Sequence, residues 1–236
     1  MAITLYANMV SQPSRAVAWV LQAKGVDYEH VEVEFGGAFA KSDEFLAMNP
    51  NGFVPVLKDG DFTLFEGNAI LAYLAEKFQW EDLYPTELQA RAKINEYLHW
   101  HHTTVRNFTL QVVRPFLRKV VFKAATPQEL EYVAQYKETI AKHTAVLEKF
   151  FVNDFVARTN HATIADYVAY CEFDQLQAMG LLDLAAFPKT QAWFDRMAQL
   201  PLHDEVHTVM NGFMKATGLE NVGKKQEEAA VEQATP

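Results

Sequence analysis

The residues best placed for chemistry lie between Phe53 and Leu74. Val54, Val56 and Leu57 are strand formers, and Asp59-Gly60 is a hairpin turn in which glycine tolerates a positive φ. Phe62 and Leu64 then recur on one face of a returning strand. After Phe65 the apolar period lengthens from two to about 3.6 residues. Ala69, Ile70, Tyr73 and Leu74 give one stripe of a helix beginning near Gly67, and Glu66 stands at its start, where negative charge is favoured. Pro55 interrupts the first strand, because proline cannot donate to a ladder. A cis Val54–Pro55 bond is expected, since X-Pro is where cis bonds occur, and it leaves the Val54 backbone free to pair with something extended. Strand, turn, strand, acid and helix together make a site for a small peptide.

Other reactive side chains are read against their ordinary roles. Ser11 lies two residues before Pro13, which suits a first helical turn, so its hydroxyl falls beside a helix N-terminus. The ordinary role there is a loop serine leading into the helix. No Gly-x-Ser-x-Gly elbow or partner histidine surrounds it, so Ser11 is not read as a nucleophile. Ser14 is a rival hydroxyl within the first turn. His99, His101 and His102 cluster around Trp100, and His203 and His207 are spaced i, i+4. A catalytic zinc site needs a third ligand and an open position, and neither group has the His-Glu-x-x-His form. No metal is expected, and His101, on an apolar stripe, reads as a core histidine. Cys171 reads as a small buried hydrophobe.

These residues must be positioned by two dissimilar halves. Ala2 to Ala7 reads as a strand. A helix follows from Pro13 to Gly25, then a strand over Tyr28 to Glu34, then a short helix from Ser42 to Met48. With the stretch above, the order is β-α-β-α-β-β-α. Gln79 to Thr86 is a link, and the rest is helical. Ala90, Ile94, Tyr97, His101, Val105, Phe108 and Val112 form one long stripe, which Pro115 should kink or end. Thr126-Pro127-Gln128-Glu129 is a capping box opening a helix that carries Leu130, Val133, Ile140, Leu147 and Phe151. Thr163 and Asp166 mark another helix start, read as a folding element. Helices over Pro188 to Leu200 and His203 to Thr217 complete the set. The expected organisation is a domain over residues 1–79, an all-helical domain over 87–217, and a flexible polar tail over 218–236.

The 236 residues are half hydrophobic, enough for a sizeable core. A formal charge of −9 argues against nucleic-acid or anionic-membrane partners. The single cysteine excludes an internal disulfide framework and fits a reducing compartment. The N-terminus lacks the basic and apolar regions of a signal peptide, and no apolar run approaches the length of a membrane span. The expectation is a soluble, cytoplasmic protein.

Val54-Pro55-Val56-Leu57 followed by Glu66-Gly67-Asn68-Ala69-Ile70-Leu71 resembles the glutathione-site signature of the glutathione transferases. Leu5-Tyr6 with Ser11-Gln12-Pro13-Ser14-Arg15-Ala16-Val17 is similar to the theta class, as are Leu88-Gln89-Ala90-Arg91-Ala92, Glu96-Tyr97-Leu98, Trp100 and His102-Thr103-Thr104 before Arg106. The likeness covers roughly residues 3 to 217, is strongest between 1 and 106 and is thin from 107 to 160. It implies an α+β two-domain fold, with a thioredoxin-like N-terminal half and an all-α C-terminal half. It implies conjugation of the glutathione thiolate to small electrophiles such as alkyl halides or organic hydroperoxides.

The resemblance makes Ser11 the hydroxyl that stabilises the thiolate. A free thiol titrates near about 8.5, and each unit of lowering represents about 1.4 kcal/mol of preference for the anion. Residues 1 to 78 hold five Lys/Arg against ten Asp/Glu, so placed groups must bind the anionic tripeptide. Glu66 would hold the γ-glutamyl ammonium, and the helix start at Gly67 the adjacent carboxylate. Val54, with Phe53 beside it, would pair with the cysteinyl unit, and Lys41 would meet the glycyl carboxylate. Arg106 would orient glutathione or stabilise a leaving anion, its rival role being an interhelical ion pair. Phe108, Val112, Phe116, Met210 and Phe213 are the candidate electrophile pocket, their rival role being plain core.

Glutathione is then a co-substrate, with no tightly bound cofactor, and the protein a homodimer. Two departures point to weakened binding. Gly67 replaces the usual Ser or Thr, losing a contact worth about 1 kcal/mol, and Ala40 stands where theta relatives often have His. They motivate the alternative of a non-catalytic ligand-binding or scaffold protein on the same fold. A disulfide reductase is disfavoured, because the first half contains no cysteine.

Overall fold

The computed structural model describes residues 3–225. Strand β1 (Ile3–Ala7) leads through a turn into helix α1 (Gln12–Ala23), then strand β2 (Tyr28–Glu32). A 3-10 turn (Phe39–Lys41) precedes helix α2 (Asp43–Met48), whose first turn is capped by the Ser42 hydroxyl accepting from Phe45 N. Strands β3 (Val56–Asp59) and β4 (Phe62–Phe65) follow, then helix α3 (Gly67–Lys77). The four-stranded sheet has the order β2-β1-β3-β4. β1 runs parallel to β2 and antiparallel to β3, with Leu5 opposite His30 on one side and Leu57 on the other. The β-α-β-α-β-β-α order and the cis Val54–Pro55 bond are as the sequence predicts.

The second half is helical: α4 (Leu88–Thr103), a π-helical stretch (Phe108–Val113), α5 (Arg114–Val120), α6 (Pro127–Ala134), α7 (Tyr136–Leu147), α8 (Ile164–Ala178), α9 (Pro188–Met197) and α10 (His203–Ala216). Where one long helix is expected, the chain breaks after Thr103. Pro115 ends no helix: helical backbone runs from the π-helical stretch through Val113 and Arg114 into α5, and the winding changes from π to α just before the proline, a local distortion of the helix at that point. The helix opened by Thr126 also divides, at Gln135, into α6 and α7. Leu130 is exposed, not core. The capping box at Thr126 and Glu129 is present.

Asp166 carries the folding role expected of it. Its Oδ2 accepts from Thr163 N at 2.8 Å and Thr163 Oγ1 at 2.9 Å. Its Oδ1 accepts from Val156 N at 2.9 Å and Trp193 Nε1 at 3.0 Å. The start of α8 is thereby tied to the loop before it and to α9. α8 is buried along most of its length, and α1, α3, α4 and α10 pack around it, so one apolar core runs across both halves.

The start of the expected loose tail is packed. Leu219 and Val222 are buried, Asn221 N donates to Ala178 O at 3.2 Å, and Gly223 N donates to Met179 O at 3.1 Å. A Cβ on Gly223 would stand 2.3 Å from the Gly180 carbonyl oxygen, so glycine is required there. Residues 226–236 of that stretch lie outside the described residues.

Candidate active site

Ser11 is the residue before α1, extended at φ −74° and ψ 128°, and buried at 8 % exposure. Its hydroxyl caps no backbone N–H of the helix, which leaves it available beside the helix N-terminus. The turn before it is held by Asn8. Ser11 N donates to Asn8 O at 2.9 Å, and Val10 N donates to Asn8 Oδ1 at 3.0 Å. Ser14 is wholly buried, with an unpartnered hydroxyl, and does not share this setting.

The start of α3 meets the start of α1. Glu66 precedes α3 with a positive φ of 74°, a region costly for a residue with a Cβ, and its side chain is exposed. Gly67 is buried, and a Cβ there would lie 2.8 Å from Pro13 Cβ. Glycine at 67 is therefore dictated by the approach of two helix starts. This gives Gly67 a cause that the sequence comparison with Ser or Thr does not contain. The free N–H groups at the start of α3 make a favourable place for an anion.

Val54 lies just outside the ladder, in which β3 pairing begins at Val56. Phe53 is 72 % exposed, and its carbonyl accepts from Asn49 Nδ2 at 2.8 Å. Lys41 is exposed at the end of the 3-10 turn. The pocket expectation is corrected for four residues. Phe108, Val112, Phe116 and Met210 have no exposed surface and belong to the core. Phe108 packs edge-on against Phe173, and Phe116 against Tyr136. Only Phe213 of that set keeps partial exposure.

Arg106 fulfils its rival role and reaches the serine turn. Its Nη1 donates to Glu172 Oε1 at 2.7 Å and to Gln12 Oε1 at 2.9 Å. Gln12 is the residue after Ser11, and its Nε2 donates to Gln175 Oε1. Glu172 Oε2 accepts from Thr109 Oγ1 at 2.6 Å and Gln175 Nε2 at 2.8 Å. Sequence reading misses Gln12, Thr109, Glu172 and Gln175. The available signal is the run of polar residues at 172, 174 and 175 inside an otherwise apolar helix. His101, buried beside this cluster, accepts or donates to the Tyr97 hydroxyl at 3.3 Å. Burial, helped by the Arg106 charge, pushes its imidazole down to about 3, so it is neutral.

The histidine pair on α10 gains a third neighbour from α8. Asp174, His203 and His207 present ligand-type atoms within 4.8 Å of one another. Arg15 Nη2 lies 3.6 Å from Asp174 Oδ2, so a metal cation there would face a buried guanidinium. Cys171 is fully buried, and burial pushes its thiol up to about 12, the condition of an inert core residue.

Comparison with known proteins bears on the family of the chain. Residues 1–76 match the family described as Glutathione S-transferase, N-terminal domain, and residues 106–201 match its C-terminal domain. The chain is 32 % identical to Glutathione S-transferase T1 of Arabidopsis thaliana over 240 residues, covering 95 % of this chain and 97 % of that protein. It is 35 % identical to human Glutathione S-transferase theta-1 over 226 residues, covering 89 % of each. The solved structure of human glutathione transferase theta-2 in complex with glutathione superposes with a TM-score of 0.81 at 32 % identity, over 92 % of this chain and 90 % of that one. Matched in both halves and along nearly its full length, the chain belongs to the glutathione S-transferase family, with theta-class enzymes among its relatives.

Proposed function

We propose that the protein conjugates glutathione to small electrophiles and that Ser11 Oγ donates to the glutathione sulfur. The observation that carries this reading is the Ser11 hydroxyl, buried at the start of α1 and unused by the helix cap. A donor aimed at a developing anion beside a helix N-terminus favours thiolate over thiol. The thiolate then attacks the electrophilic carbon of an alkyl halide. A carbon–sulfur bond forms, the carbon–halogen bond breaks, and halide leaves with the electron pair. Organic hydroperoxides are the second substrate class. The thiol proton is lost to solvent when the thiolate forms.

Glutathione is held from its ends. Glu66 meets the γ-glutamyl ammonium, and the free N–H groups at the start of α3 meet the neighbouring carboxylate. The Val54 backbone, beside Phe53, pairs with the cysteinyl unit, Lys41 meets the glycyl carboxylate, and Arg106 lies against the serine turn through Gln12. The tripeptide is consumed, so it acts as co-substrate. The working unit is a homodimer in the cytoplasm, with no nucleic-acid or membrane partner. Consistent with this, no helix among the described residues is long and apolar enough to cross a membrane.

Ser11→Ala is expected to lower the conjugation rate by about 100-fold, the loss typical of one removed donor, while calorimetric glutathione binding changes little. A full rate in that variant would remove Ser11 from the mechanism.

A further inference from the structure

Arg15 is wholly buried one turn into α1. Its Nη1 donates to Val10 O at 2.7 Å and Met9 O at 3.4 Å, and its Nη2 donates to Cys171 O at 3.1 Å. The guanidinium thus grips, by its carbonyls, the turn that immediately precedes Ser11, and holds that turn against α8. Asn8 braces the same turn from the other side. With its hydroxyl free of the helix cap, the direction of Ser11 depends on this turn.

A guanidinium taken out of water needs a counter-charge, and three carbonyl oxygens supply only partial charge. Asp174 supplies it, with Oδ2 3.6 Å from Arg15 Nη2 and its side chain 10 % exposed. Without that charge, an uncompensated buried cation would move toward water and release Val10 and Met9. We propose that Asp174 is a positioning residue for the reaction: its charge keeps Arg15 buried on the Met9 and Val10 carbonyls and so holds Ser11 Oγ where the sulfur must sit. The inference rests on the function proposed above.

His207 makes that charge depend on one proton. Its Nδ1–H donates to His203 O at 2.6 Å, so the neutral ring turns a bare Nε2 toward Asp174 Oδ2, 3.5 Å away. Two acceptors then face each other, and both are buried without a hydrogen-bond partner. A single proton between them satisfies both atoms and cancels the charge that holds Arg15. The groups facing Asp174 are Arg15 from α1 and His203 and His207 from α10, with Tyr170 and Cys171 on its own helix and Asp204 beyond His203. Burial pushes the Asp174 carboxyl up to about 6, against the opposing pull of Arg15.

The test uses the full chain with glutathione. The Kd is measured by calorimetry, the thiol pKa in the complex by ultraviolet thiolate absorbance, and kcat and KM with 4-nitrobenzyl chloride across pH. Asp174→Asn should keep Kd within about twofold and raise the bound thiol pKa by about one unit. That lowers thiolate and kcat about tenfold below the new pKa. The rate should recover at higher pH, and Asp174→Glu should restore the profile.

An unchanged thiol pKa in Asp174→Asn would overturn the proposal. So would equal losses of binding and rate at every pH, the mark of a merely structural role. If Asp174→Asn does not fold, the Arg15→Met/Asp174→Leu pair, apolar replacements of similar shape, takes its place with the same readouts. A wild-type thiol pKa in that pair overturns the proposal equally. Absence of saturable glutathione binding or of a thiolate band in the wild type refutes the functional reading itself, and the positioning role with it, before any variant is compared.

Discussion

Two polar clusters join α8 to the serine turn, and they are built on opposite principles. In the cluster of Gln12, Arg106, Thr109, Glu172 and Gln175, both Glu172 oxygens are taken, and each amide and hydroxyl has a partner. In the cluster of Arg15, Asp174 and His207, Asp174 Oδ2, His207 Nε2 and Arg15 Nε are buried with none. Both grip α1 within a turn of Ser11. A fully satisfied buried network fixes one geometry. A network with unpaired groups is costly to bury, and where two of them are facing acceptors it can be changed by a proton. The difference assigns rigid docking of the two halves to the first cluster and an adjustable hold on Ser11 to the second.

The largest effect should come from breaking the satisfied cluster. Glu172→Ala removes the counter-charge of Arg106, which keeps only Gln12, and leaves the Thr109 hydroxyl without its acceptor. Breaking a buried pair costs about 3–5 kcal/mol, and the 29 % exposure of the Arg106 side chain places this one near the lower end. A fall in Tm of roughly 6–12 °C follows for a domain of this size, and scanning calorimetry reads it. A change under about 2 °C would show that the network contributes little.

A third contact on the same turn of α1 carries no charge, and so isolates packing. Gly67→Ser puts a Cβ into the Pro13 ring at 2.8 Å. Overpacking of this kind costs about 1–3 kcal/mol, more than the roughly 1 kcal/mol a regained hydroxyl contact could return. Calorimetry should show weaker glutathione binding than in the wild type, with Pro13→Ala restoring part of it. Tighter binding would mean the two helix starts can separate at little cost.

The smallest effect, and the one that sets the clusters apart, is the pH dependence of stability. A carboxyl raised in the fold from 3.8 to about 6 keeps its proton longer folded than unfolded. The folded state therefore binds more protons between those values, and this group's contribution falls as pH rises from about 4 to about 6. Chemical denaturation at pH 4.5 and 7.5 should show Asp174→Asn gaining on the wild type at the higher value. His101 has the opposite sign. Its folded value is depressed to about 3, so its contribution is present above about 6.5 and is lost as pH falls toward 3. A difference between Asp174→Asn and wild type that stays constant with pH would show the second cluster to be as fixed as the first.

Local signals carried much of the fold. Period, turn residues and capping residues placed β1, α1, β3, β4 and α3, as well as the boxes at Thr126 and Thr163, because each is settled by neighbours in the chain. The same signals ran α4 on to Val112 and α6 into α7. An apolar stripe does not register a break that tertiary packing imposes. The long helix's apolar residues were also legible as apolar, but whether Phe108 or Phe116 faces a pocket or a core depends on helices far along the chain. At the site, Ser11, Glu66 and Gly67 stand out by type and by their place at helix starts.

The cause of Gly67, the partners of Arg106, and the meeting of Asp174 with Arg15 and His207 came only from the folded chain. Gln12 and Gln175 are 163 positions apart in sequence, and Arg15 and Cys171 are 156 apart. Sequence by itself determined which groups could hold a charge or a proton. Tertiary structure decided which of them are buried against one another, because removal from water makes a nearby charge decisive.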